Sequence, residues 1–506
     1  MSQSQSENLS DIVGHPEAVK QGASGPSSTS SSSTTISSEG DDLAWEEHTR
    51  GFELPRTLKA YTCLIGCFFC MFNSWGLVNA YGTFASFYVE SLLPNTSLTE
   101  IALIGALQCF FILIFSSIAG RLLDAGHYRK LSFAGWALTS LATFTLSQVA
   151  RELSSADGTR HIGNYGAVLA AQGLTMALGQ ASYFVSSSQI VSTWFPKAKN
   201  TAIGFVACGA SVAGVIYPVA FRSFVRDYGW EGGILRLAGI VSGTGLISLF
   251  LAVPNPTFPI RKPKTWISRE VWIDYAAFKW RPYLLHVLSI SFLFLGFYSI
   301  FFNLEEWSVS AGFGYREVSP LRDENDPPAM RTFYLLAIMN GASSIGRISA
   351  GVISDYYGAL NTHCLVTFLS SLLVLIWWPL MSDITQAVAF TIVFGAISGS
   401  VIGLPPAVVA DLLGPNRIQQ LGQWVGMMYA LAAPFALIGP VIAALLITTY
   451  ETYLTVQMWA GVSLFLSSGF MLASIISRRR ERQRRVGSSG VQIEVSGAVT
   501  GTGSNV

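Results

Sequence analysis

Twelve runs of predominantly apolar residues punctuate the chain, at about 60–84, 100–122, 131–149, 163–187, 200–221, 233–253, 283–305, 332–353, 364–381, 385–407, 424–447 and 456–477. About 20 such residues are what a helix needs to cross the hydrocarbon core of a bilayer. Lipid offers no hydrogen-bond partners, so each crossing segment must satisfy its own backbone, and a helix does so residue by residue. Composition agrees. Of 506 residues, 51% are hydrophobic and 12% charged, too few charges to clothe the several soluble domains that this length would otherwise make. The expected fold class is an all-α membrane protein with twelve transmembrane helices.

An even number of crossings puts both termini on one side. With the termini cytoplasmic, 22 of the 31 Lys and Arg residues fall inside, eight fall outside and Arg347 lies within a span, the bias of the positive-inside rule. The expected setting is a multi-pass protein of the plasma membrane. Residues 1–55 are polar and Ser-rich, with SSTSSSSTTISS at 27–38, and are expected to be a disordered cytoplasmic tail without the leader of a cleaved signal peptide. Residues 478–506 open on RRRERQRR and are expected to be a second, basic disordered tail. The longest inner connection, 254–282, sets Ile267, Val271 and Tyr275 four apart beside Trp266 and Trp272, the spacing of a short amphipathic helix at a membrane surface. It separates two six-helix halves, 56–253 and 283–477. Cys63, Cys67, Cys70, Cys109, Cys208 and Cys364 lie in or at the ends of spans and read as small apolar filler rather than disulfides or metal ligands. Asn95-Thr96-Ser97, in the first outer loop, is a glycosylation acceptor.

GRLLDAGHYRK, at 120–130, crowds four charges between two apolar runs. Gly120-x-x-x-Asp124 closes the second span, and Gly351-x-x-x-Asp355 closes the eighth, 231 residues later for both the Gly and the Asp. Such internal repeats mark secondary transporters, with cargo bound near the midplane between the repeats. The architecture and this motif resemble the major facilitator superfamily, whose loop between helices 2 and 3 reads Gly-x-x-x-Asp-x-x-Gly-x-Arg-Arg/Lys. Asp124, Arg129 and Lys130 stand in register and Gly126 comes one residue early. WFPKAKNTAIGFVACGASVAG (194–214) is similar to the monocarboxylate-transporter pattern, through Ala202, Gly204, Gly209 and, one place late, Gly214. NSWGLVNAYGTFASFY (73–88) and IGALQ (104–108) resemble the fungal branch of that family. The resemblance covers about 55–478. It implies the major facilitator fold, alternating access, and a gate built on Gly120, Asp124, Arg129 and Lys130 with its copy at Gly351 and Asp355. In that gate Asp124 pairs with basic residues or a helix terminus; the alternative is that the basic residues only anchor topology. The acidic-Gly-Gly motif of lactate carriers is absent, since the region reads ELPRTLKAY, and their Lys and Asp fall at Asn79 and Ser343. Only their Arg survives, as Arg347.

Arg347 lies about 22 Å along the eighth span from Thr332, at about 1.5 Å per residue, within a ~30 Å core. A charge there is costly and should face a cavity or a partner. Its planar fork of donors suits a carboxylate, so Arg347 is a candidate for binding an anionic cargo; the alternatives are snorkelling and a pair with Asp355. Asn79, Gln180, Asn303 and Asn340 are further candidates for cargo contact, against the plainer role of bonding neighbouring helices. Glu305 and Glu306 end the seventh span and read as a solvated helix end ahead of proton acceptors. No carboxylate sits mid-span, so protons are only a candidate coupling ion. The chain contains no GxxxxGK[ST], HExxH or GxSxG; neither an ATP-driven pump nor an enzyme is expected, and no cofactor or nucleic acid. The expected function is secondary active transport of a small organic anion, a monocarboxylate or a carboxylate-bearing metabolite, through the lipid bilayer. The alternatives are an exporter of a fungal secondary metabolite, an importer of a flavin-like nutrient and a non-transporting nutrient sensor.

Overall fold

A computed structural model of the chain describes residues 53–155, 158–257, 262, 266, 268–315 and 330–500. The expected disordered segment before residue 53 lies outside the described residues, as does Ile267. Among the described residues, nine helical segments are long and apolar enough to cross a membrane. One of them, Lys199–Leu251, holds two crossings, because Gly229 at φ 69° breaks it into 199–228 and 230–251. A residue with a Cβ would be strained at that turn. Two more crossings, Tyr128–Ser147 and 165–192, dilute their apolar content with Ser, Thr, Gly and Gln.

The twelve transmembrane helices, in chain order, are α1 (Leu58–Leu92), α2 (Leu98–Asp124), α3 (Tyr128–Ser147), α4 (165–192), α5 (199–228), α6 (230–251), α7 (Arg281–Ser310), α8 (Thr332–Tyr357), α9 (Ala359–Leu380), α10 (Ile384–Leu413), α11 (Leu421–Tyr450) and α12 (Leu454–Thr500). They form two six-helix halves. The halves meet along two seams, α2 against α11 and α5 against α8. Because α8 repeats α2 and α11 repeats α5, the seams are copies of each other. We call the side from which α1 starts and α12 emerges the tail face. Short strand pairs decorate the other face: Ala150–Ser155 with Gly158–Gly163, antiparallel, and Gly314–Tyr315 with Met330–Arg331, parallel.

Two helices are interrupted within the bundle. Ser74 (φ −97°, ψ −96°) breaks α1, and α10 loosens over 399–404 between two α-helical stretches. Freed backbone is tolerated at such depth only where protein or a cavity meets it. Here Gln180 of α4 donates Nε2–H to the Ser74 carbonyl at 3.3 Å, and Ser74 donates its hydroxyl to the Gln180 carbonyl at 2.9 Å.

Two expectations are corrected. The connection before α7 is not one amphipathic helix but two short ones, Arg269–Trp272 and Tyr275–Lys279. Asp274 accepts from the Ala276 amide and so starts a new helix where the first would have continued. The basic stretch after Ser477 does not leave the helix: α12 runs on to Thr500, and the high helix propensity of Arg, Glu and Gln favours it through Arg485.

Candidate functional site: the seams and the centre between the halves

At the tail face each seam closes on an aspartate. Asp124, at the end of α2, accepts from the Gly422 amide at 3.1 Å and the Gln423 amide at 3.0 Å, the first turn of α11. Asp355, near the end of α8, accepts from the Asn200 amide at 3.0 Å, the Thr201 amide at 2.9 Å and the Thr201 hydroxyl at 2.5 Å, the first turn of α5. A helix N-terminus leaves its first amides without partners and carries positive potential, so a carboxylate from the other half is their natural cap. The glycine four residues earlier is what lets the helices meet. A Cβ at Gly120 would lie 2.4 Å from the Gly422 carbonyl oxygen, and one at Gly351 would lie 2.7 Å from that of Asn200. The Gly-x-x-x-Asp spacing is thus one helical turn, with contact at its start and a cap at its end. Arg129 and Lys130 are exposed, and Arg129 donates to the Tyr128 hydroxyl at 3.2 Å. Arg121 instead turns inward to the Val271 carbonyl at 3.0 Å.

The opposite face is tied through α1 and α7. A Cβ at Gly82 would meet the Phe301 carbonyl oxygen at 2.6 Å. Thr83 of α1 donates its hydroxyl to Glu305 of α7, and Thr332 of α8 donates to the same carboxylate at 3.2 Å. Glu305 is 0% exposed, which corrects its reading as a solvated helix end: Thr83 of α1 and Thr332 of α8 close on its carboxylate, and α1 continues past its apolar run to Leu92. The same extension buries an ion pair that the sequence reading missed, Arg222 to Glu90 at 3.0 Å, with Arg222 also donating to Ser86. A charge just beyond each of two apolar runs, Arg222 directly after 200–221 and Glu90 less than two turns after 60–84, was the available signal. Asn95 is exposed in the turn between α1 and α2, where Ser97 caps α2 through Glu100.

Between these closures lies an aromatic cluster contributed by both halves. Trp75, at the break in α1, stacks on Tyr298 of α7 with centroids 5.2 Å apart. Phe184 of α4 meets Trp75 edge-on at 5.1 Å and Tyr429 of α11 at 4.8 Å. Trp75 Nε1, Tyr298 Oη and Tyr429 Oη are buried without a hydrogen-bond partner, although buried polar groups are nearly always paired. None of these was singled out from sequence. Their signal was position, since Trp and Tyr in membrane helices favour the interfaces and Trp75 and Tyr298 sit deep within their runs.

Arg347 is 3% exposed and neither snorkels nor pairs with Asp355. Its Nε–H reaches the Ser343 hydroxyl at 3.1 Å, its Nη1 has no partner, and no carboxylate pairs with it among the described residues. It borders a cavity of about 10 Å³ with Ser400 and Gly403 of the loosened part of α10, room for about one water. Asn340 shares α8 with it, bonding its own helix through Nδ2 while Oδ1 stays unpartnered. Asn79 donates to the Ala210 carbonyl of α5 at 3.4 Å, and Gln180 accepts from Gln108 at 2.9 Å. Asn303 bonds within its own helix, to the Ser299 carbonyl.

A twice-repeated six-helix unit, closed by matched caps around a polar and aromatic centre with broken helices, is the construction of a secondary transporter. The chain belongs to the Major Facilitator Superfamily, whose family profile matches residues 63–437. It is similar to the MFS-type transporter hasB of Aspergillus fumigatus, at 28% identity over 416 residues, 81% of this chain and 87% of the relative. The Aspyridones efflux protein apdF of Emericella nidulans is 27% identical over 408 residues, 80% of this chain and 76% of the relative. The Agnestins efflux protein AgnL12 of Paecilomyces divaricatus is 26% identical over 435 residues, 85% and 91%.

Proposed function

We propose that the protein exports a small organic metabolite, with an apolar or aromatic body and an acidic group, by alternating access between its two faces. The observation that carries this reading is the set of unpartnered buried atoms at the centre, Trp75 Nε1, Tyr298 Oη, Tyr429 Oη and Arg347 Nη1. An unmet buried donor costs about 1–3 kcal/mol, a cost that a bound cargo with acceptor groups removes. Ring faces beside them suit a planar body. Arg347 supports the acidic group: Ser343 stands where the lactate carriers place their Asp, so the guanidinium meets a hydroxyl and its charge is left for the cargo. The efflux names of two relatives favour export over uptake. The 22-to-eight bias of basic residues supports cytoplasmic termini, and export supports the plasma membrane. Glu305, buried between α1, α7 and α8, is the carboxylate best placed to take a coupling proton, since protonation removes the charge that holds Thr83 and Thr332.

The test is to delete the gene in its source organism and compare small molecules in the cells with those in the medium. An acidic metabolite that accumulates inside and vanishes outside supports the reading and names the cargo; a nutrient left in the medium would reverse the direction. Saturable flux of that cargo into reconstituted vesicles separates transport from sensing. Arg347→Lys should cut the flux at least tenfold, because an ammonium lacks the bidentate fork; unchanged flux would remove the acidic group from the account.

A further inference from the structure

At the tail face a second, larger cavity of about 600 Å³ opens among the ends of α1, α2, α4 and α6 and the segment leading into α11. Its volume lies in the range of small-molecule sites, about 300–1,000 Å³. It is separate from the centre, being lined by none of Trp75, Tyr298, Tyr429 and Arg347. The walls are mainly apolar, with Leu123, Trp194, Phe250 and Ile418 among them. Two charged side chains border it, Asp124 and Lys59. Asp124 is already engaged by the amides of Gly422 and Gln423. The Lys59 ammonium has no hydrogen bond or ion pair among the described residues. Gln189, a lining residue that is 6% exposed, adds an amide whose Nε2 lacks a partner. The cavity therefore combines apolar walls, one uncommitted cation and an unmet donor.

Its position relative to the gate matters as much as its chemistry. Leu123, Asp124 and Gly126 come from the end of α2, whereas Ile418, Gln419 and Leu421 come from the other half, immediately before the amides that Asp124 caps. Once α11 parts from Asp124, that wall leaves with it.

We propose that this cavity binds an anionic amphiphile, its carboxylate or phosphate at Lys59 and its apolar body along Leu123, Trp194 and Phe250, and that occupancy holds the tail-face gate shut. A ligand that needs one conformation shifts the equilibrium towards it in proportion to its differential affinity. A free fatty acid and an anionic phospholipid share this chemistry. The proposal is independent of which cargo the centre takes.

The experiment is equilibrium binding of radiolabelled dodecanoate to the full-length protein in phosphatidylcholine nanodiscs. The expected result is saturable binding of one molecule per chain, weakened at least fivefold by Lys59→Gln, abolished by Leu123→Trp and at least tenfold weaker for dodecanol. Thermal unfolding of each variant in the same discs confirms that it is folded. Gly120→Leu, which forces the seam apart from outside the cavity lining, should also weaken binding; unchanged affinity in that variant would overturn the link to gating. Absence of saturable binding, or equal binding by wild type, Lys59→Gln and Leu123→Trp, would overturn the site itself. Adding phosphatidylglycerol to the discs identifies the source: displacement of dodecanoate assigns the cavity to a membrane lipid, and no displacement assigns it to a free amphiphile.

Discussion

The two tail-face seams carry the same device in different surroundings. Each joins a glycine, a close helix crossing and an aspartate that caps the facing helix. The α5–α8 seam adds direct bonds: Asp355 takes a third donor from the Thr201 hydroxyl, and Lys199 at the same helix start pairs with Asp411 of α10 at 2.8 Å. The α2–α11 seam sets its aspartate on the amides of Gly422 and Gln423. It recruits the connection between the halves instead, since Arg121 and Gln423 both donate to the Val271 carbonyl and Gln423 also donates to that of Glu270. The first seam adds an ion pair and a hydroxyl to its cap, and the second adds a strap of backbone. The repeat therefore preserves the cap and its glycine spacer while leaving reinforcement free to differ.

The harshest way to break this comparison is Gly120→Leu. Backbone oxygen lies 2.4 Å from the added Cβ and cannot yield as a side chain would, so the α2–α11 seam should fail to close and transport should fall by more than tenfold; vesicle flux checks it. Next comes Asp355→Ala, which strips three hydrogen bonds at about 1.5–3 kcal/mol each when charge-assisted and should destabilise the tail-closed state by several kcal/mol. Asp124→Ala removes the bonds to the Gly422 and Gln423 amides and should likewise open the tail face, read as accessibility to a membrane-impermeant thiol reagent at an introduced cysteine. Unchanged accessibility in Asp124→Ala would remove that cap from the account. The mildest is Lys199→Ala. Its ion pair is partly solvent-exposed, so about 1 kcal/mol or less is at stake, and the effect should fade in high salt.

The fold was legible because apolar run length is a strong and local signal, and all twelve runs fall on helices. Helix ends were less so: α1 extends to Leu92 because the helices around it bury Glu90 and its neighbours, which no run of apolar residues announces. The aspartates stood out through their repeat, but their partners did not. Gly422, Gln423, Asn200 and Thr201 act chiefly through backbone amides, and an amide has no sequence signature. Arg347 was conspicuous as a lone charge in a span. The aromatic centre was not, because a Trp or Tyr in an apolar stretch looks like packing until its N–H or O–H is seen to lack a partner. Asp274 illustrates the reverse case, where apolar spacing suggested one helix and a single capping carboxylate made two.

The central claim is that Asp124 and Asp355 hold the tail face shut by capping α11 and α5. It is tested most directly by measuring the distance between spin labels at exposed Arg129 and Arg417, one in each half, by pulsed electron resonance in nanodiscs without cargo. The wild type should give a single short distance, and Asp124→Asn combined with Asp355→Asn should add a distinctly longer population. An unchanged distribution in the double variant would contradict the account.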